Sequence, residues 1–142
     1  MRVVKKFEEY LKEGIAKKVT SDKQRAENLF LESKRKFVFV KKSVEAMGID
    51  DSNANDYVEY CYNILMFLIR SKMSAKGYTS SGQGAHESEV AFARNMNFTE
   101  SEIMLLDQLR YFRNGILYYG KRFDKEYAEQ IIEFTKKTIS KF

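Results

Sequence analysis

Not one proline interrupts the 142 residues, and that absence restricts the fold more than any single motif does. Proline removes a backbone donor and clashes with the preceding turn, so it ends or kinks helices. A chain without it is free to run long helices from one turn signal to the next. The segments between those signals are filled with Lys, Glu, Ala, Leu, Met and Ile, which lose little rotamer freedom in a helix. An all-α fold is therefore expected, as an up-and-down helical bundle of about five to six helices. The length suits a single domain over 1–142 with one hydrophobic core.

Apolar spacing places the helices. Val4, Phe7, Leu11 and Ile15 mark an N-terminal amphipathic helix within 1–18, and the bundle proper is expected over 20–140. Thr20 or Ser21 is available to cap a long second helix. Along it Ala26, Phe30, Ser33, Phe37, Val40, Val44 and Met47 keep a 4-3-4-3 spacing as far as Gly48. A third helix, from about 53–56 to Lys76, is apolar nearly all round at its centre (ILMFLI), as expected of the middle of a bundle. The Gly/Ser-rich KGYTSSGQGAHES reads as a loop, followed by a short helix from His86-Glu87 to Asn95. Thr99 with Glu102 fits a capping box for a fifth helix ending at Tyr119, with Gly120 as its left-handed stop. A last helix is expected from about Asp124 to Thr138, carrying Phe123, Tyr127, Ile131 and Phe134 on one side.

Several function classes fall away. One cysteine, Cys61, and one histidine, His86, leave too few soft ligands for a zinc site. Cys61 lies among apolar residues, where an inert buried thiol is expected. There is no P-loop and no nucleophile elbow, so neither a metal nor a cofactor is implied. The longest apolar run is too short to span a bilayer, and MRVVKKFEEYLKEG is charged throughout, unlike a secretory signal. A cytoplasmic setting without a membrane is the expectation. The net charge is +5, with basic residues crowding 1–46 and acids prevailing over 82–107. That balance permits contact with phosphates without requiring it.

The segment that bears on function is LRYFRNGILYYGK, residues 109–121. On the fifth helix the apolar stripe is read as Leu105, Leu109, Phe112, Ile116 and Tyr119. Arg110, Asn114 and Tyr118 follow at four-residue steps as a second row beside it, with Arg113 close by. Spacing alone leaves two readings. In one, Arg110 and Arg113 pair with acids such as Asp107 or complement the helix dipole. In the other, their planar donor forks make an anion site, joined by Lys121 and Arg122 beyond the helix end. His86 lies at the start of the fourth helix, where a cap or surface role is expected, and Glu87 and Glu89 read as ordinary first-turn acids.

The run Arg113-Asn114-x-x-x-Tyr118-Tyr119-Gly120-Lys121 resembles the signature helix of HEPN (higher eukaryotes and prokaryotes nucleotide-binding) domain proteins. Lys76-Gly77-Tyr78-Thr79-Ser80 resembles an element found in many small members, and the similarity covers roughly 20–140. The resemblance implies a helical bundle, usually a homodimer with the signature helices of two protomers meeting across a cleft. Many members are metal-independent ribonucleases, and several are toxins paired with a nucleotidyltransferase antitoxin. Their motif is an arginine, a polar residue, a spacer and a histidine; here Arg113 and Asn114 take the first two places and Tyr118 stands where the histidine would be. Relatives often carry an arginine one turn after a tyrosine of the third helix; here Met66 stands one turn after Tyr62, and Arg70 two turns after.

Metal-free RNA cleavage needs a group that moves protons near neutral pH, which histidine does and tyrosine, with a reference pKa near 10, does poorly. The resemblance therefore implies RNA or nucleotide binding at Arg110, Arg113, Lys121 and Arg122. Arg113, Asn114 and Tyr118 are the candidates for any catalysis. Two alternatives stand beside it: an active endoribonuclease toxin, and a helical interaction module that binds a nucleotidyltransferase.

Overall fold

A computed structural model of the chain describes residues 3–120 and 122–142, apart from the side chains of 116–119. Six α-helices carry the described structure: α1 (Phe7–Lys12), α2 (Lys23–Met47), α3 (Ala54–Lys76), α4 (Ala85–Phe92), α5 (Glu100–Tyr119) and α6 (Lys125–Ser140). A 3-10 turn, Ala93–Met96, extends α4. Two short strands, β1 (Ala16–Lys18) and β2 (Tyr78–Ser80), pair antiparallel, with Lys17 opposite Thr79. The fold is all-α, as expected.

The bundle is organised around α3. Its centre buries most of its circumference: Ile64, Leu65, Met66, Leu68 and Ile69 are all buried, and a narrow stripe through Asn63, Phe67 and Arg70 is half-buried. Such a segment is stable only when other elements surround it, and α2, α4, α5 and α6 all pack on it. The start of α2 lies beside the end of α3, where Ser71 donates to the Ala26 carbonyl at 2.6 Å and Ser74 to that of Asp22. At the other end Tyr57 and Asn53 both donate to the Gly48 carbonyl. The two helices are thus antiparallel, clipped at both ends. Cys61 is fully buried against α6 beside Thr135, and burial pushes its thiol up to about 12, which makes it inert.

Helix ends follow local chemistry. The Thr99–Glu102 capping box forms, with reciprocal bonds of 3.2 and 2.8 Å, and Gly120 ends α5 in the left-handed region at φ 63°. The cap of α2 is Asp22 rather than Thr20 or Ser21: its carboxylate accepts from the Arg25 amide at 2.9 Å. A charged acceptor at that position also complements the helix dipole. The core stripe of α5 is shifted from the expected one. Ile103, Leu106 and Leu109 are fully buried, whereas Leu105 and Phe112 are half-buried.

The largest departure is at the N-terminus. The pattern through Val4, Phe7, Leu11 and Ile15 does face the core, but only Phe7–Lys12 is helical. Val4 is buried in extended chain, held where Arg94 donates to the carbonyls of Val4 and Lys5 at 2.7 Å each. Gly14 turns the chain at φ 77°, and the next residues become β1. Its partner β2 sits inside the stretch read as a loop. Phe7 then meets Tyr78 and Phe92 edge-on, and Tyr78 lies tilted against Phe92, sealing the junction of α1, β2 and α4.

Gly77, between α3 and β2, sets the direction of that strand. It has φ 79°, and a Cβ there would stand 2.5 Å from the Val19 carbonyl oxygen. Gly77→Ala is expected to cost roughly 2–3 kcal/mol from left-handed strain and the backbone clash, lowering Tm by about 5–10 °C. Thermal unfolding followed by circular dichroism measures this, and an unchanged Tm would mean that β1 and β2 do not pair as described.

Candidate functional site

The polar groups of α3, α4 and α5 meet around one phenol. Tyr62 sits on the face of α3 that turns toward α5, with Met66 and Arg70 at successive four-residue steps along it. The Arg113 guanidinium lies over the Tyr62 ring, 5.8 Å from its centroid, an arrangement favoured by the ring's negative face. Two buried polar atoms here have no hydrogen-bond partner, Arg113 Nε and the Tyr62 hydroxyl. An orphaned buried donor costs desolvation that nothing returns.

Burial is the main influence on the Tyr62 phenol, and it pushes the pKa up to about 12. The nearby charge of Glu89 adds to the rise, while Arg113, Arg110 and Arg70 pull against it. One carboxylate and three guanidinia therefore surround a single hydroxyl. At neutral pH that hydroxyl is protonated and serves as a hydrogen-bond donor.

The other two guanidinia are engaged. Arg70 grips Glu89 with both arms of its fork, Nε to Oε2 at 2.7 Å and Nη2 to Oε1 at 3.2 Å. Glu89 is buried, so it is not the ordinary first-turn acid its position suggests. His86 completes the group, with Nδ1 3.0 Å from Glu89 Oε1 and 3.3 Å from Arg70 Nη2. Arg110 donates to Asp107 at 2.9 Å and stands 3.8 Å from Glu87. It takes the intrachain pairing that was one of its two sequence readings.

The expected site residues thus separate. Arg113 and Asn114 are adjacent and half-buried on α5, and Arg110 lies one turn earlier within its ion pairs. Arg122 is exposed, in an open groove with Asp51, Ser52 and Asp124 near the α2–α3 loop, apart from the Arg113 cluster. Lys121 and the side chain of Tyr118 lie outside the described residues. Sequence reasoning missed two members of the site. Tyr62 entered only as the tyrosine one turn before Met66, and its polar tip on a mostly apolar helix was the available signal. Glu89 stands directly before Val90-Ala91-Phe92, and an acid flanking a buried run needs a partner.

Among the described residues no group of three or more His, Cys, Asp or Glu side chains could hold a metal ion. What the arrangement offers chemically is a desolvated guanidinium and a neutral phenol beside each other. Together they suit a planar or tetrahedral oxyanion better than a neutral ligand.

Tyr62→Phe removes a hydroxyl that has no partner, so stability at pH 7 should stay unchanged or rise by up to about 1 kcal/mol. Burial raises the phenols of Tyr62 and Tyr127 from 10.0 to about 12. The folded state then keeps protons that the unfolded chain gives up. The contribution of these two phenols is complete below pH 10 and is lost as pH climbs from about 10 to 12. Denaturant titrations across that range should show a shallower fall for Tyr62→Phe. A marked loss of stability at pH 7 would show instead that the hydroxyl has a partner.

Comparison with known proteins adds no family: no family model matches the chain, and neither a curated protein nor a solved structure does.

Proposed function

We propose that the chain is a HEPN-like protein that binds the phosphate groups of RNA or a nucleotide at Arg113. The observation that carries this reading is the state of that one side chain. Among the described residues Arg113 has no carboxylate partner, and its buried Nε has no acceptor, whereas Arg70, Arg94 and Arg110 each hold an acid. A half-buried guanidinium loses hydration without return unless an anion meets it. A phosphate oxygen supplies both the charge and the acceptor.

Asn114 adds an amide beside the arginine, in agreement with the Arg-Asn-x3-Tyr resemblance. Self-association through α5 is part of the proposal. Met104 and Tyr111 stand exposed on that helix one heptad apart, 42% and 66% accessible, on the face that neighbours Asn114. A second protomer seated there would bring two Arg113 sites close together. A nucleotidyltransferase is the alternative occupant that the resemblance suggests.

The test is fluorescence anisotropy of single-stranded RNA with the purified chain at low salt and with a chelator present, where phosphate contacts are strongest. Arg113→Gln should weaken binding by about tenfold or more, the usual scale for one charge-assisted contact. Binding that survives this substitution would remove Arg113 from the site. No binding of RNA or nucleotides by the parent chain would leave the interaction module as the better reading. The same samples run on a gel distinguish binding from metal-independent cleavage.

A further inference from the structure

A pocket opens where the first turn of α2, strand β2 and the start of α4 meet, with a volume of about 190 Å³. Neither Arg113 nor any other residue of the signature helix lines it. We propose that it is a phosphate-binding site in its own right, built by Arg25, Arg70, His86 and Thr79.

The donors arrive from different directions and are partly committed in advance. Arg25 reaches in from α2 and holds no acid among the described residues. Only its backbone N–H serves the fold, in the Asp22 cap. Arg70 gives Nε and Nη2 to Glu89 and keeps Nη1. His86 places Nδ1 3.0 Å from the same carboxylate, and in its protonated form, where both ring nitrogens donate, it has Nε2 to offer a ligand. The one acid that faces the pocket, Glu89, is therefore met by positive or donor groups on both oxygens, and the remaining balance is positive. Thr79, fixed in β2 opposite Lys17, adds a hydroxyl.

This geometry selects the class of ligand. Two guanidinia, an imidazole and a hydroxyl from separate elements suit an anion with oxygens in several directions, as a phosphate has. A planar carboxylate would be served by one fork. The volume exceeds that of a bare phosphate, so part of the group that carries it also fits. That group is either a terminal phosphate, as on a mononucleotide, or the backbone of a strand that also passes Arg113.

The experiment follows amide ¹H–¹⁵N shifts of Thr79, Ser80 and His86 at low salt during titration with inorganic phosphate, AMP or a short unphosphorylated RNA. At least one probe should shift them. Arg25→Gln should weaken that response about tenfold or more, and Arg25→Lys less. For phosphate and AMP, Arg113→Gln should leave the response unchanged, which separates this pocket from the Arg113 site. Because the Arg25 side chain is exposed and unpaired, both Arg25 variants should keep the parent's circular dichroism spectrum. A response to phosphate or AMP identifies a free or terminal phosphate, and a response to RNA alone identifies a backbone phosphate. Silence at these amides with all three probes, or shifts undiminished in Arg25→Gln, overturns the proposal.

Discussion

A helix that is apolar on nearly every side at its centre must be enclosed by other elements, and α3 is such a helix from Ile64 to Ile69, with Asn63, Phe67 and Arg70 half-buried along one stripe. The remaining elements are arranged by that requirement. α2 lies antiparallel along one side, α6 covers Cys61, and α4 and α5 close what is left. Where α3 stops being wholly apolar, at Tyr62 on one flank and Arg70 two turns on, polar side chains meet polar side chains from α4 and α5. The candidate site is the margin of the core, where burial and charge coincide.

At that margin three arginines lie close together in different electrostatic states. Arg70 is locked in a bidentate grip on buried Glu89, and a pair like that costs more to break than it contributes net. Arg110 is held by Asp107 and Glu87. Arg113 rests on an aromatic face with its Nε unanswered. Paired guanidinia position what surrounds them, and an unpaired one in a desolvated place is where an anion gains most. The same distinction sets Arg25 apart from the paired Arg70 in the neighbouring pocket.

Much of this was legible along the chain. The heptad spacing of α2 as far as Val44 (Met47, the expected last member, is exposed), the apolar run of α3, the Thr99–Glu102 box and Gly120 each act within a turn or two of themselves. Patterns with a period of 3.6 residues therefore reported them. The N-terminal segment was harder. Its apolar residues were read correctly as core-facing, but Arg94 and Tyr78, far along the chain, decide that Val4 is extended and Ala16–Lys18 a strand. Three-residue strands are too short to show a period of two.

By itself the sequence determined that the chain is a helical bundle, and where most of its helices begin and end. Those outcomes follow from missing prolines, caps and apolar stripes, which are local. It also put Arg110, Arg113 and Asn114 on one helix. Only the tertiary structure decided which of those cations keeps its charge uncommitted, because pairing depends on what other helices bring within a few ångströms. Glu89 reaches Arg70 from 19 residues away, and Tyr62 reaches Arg113 from across the bundle. Coulomb and desolvation energies depend on distance through space, not along the chain.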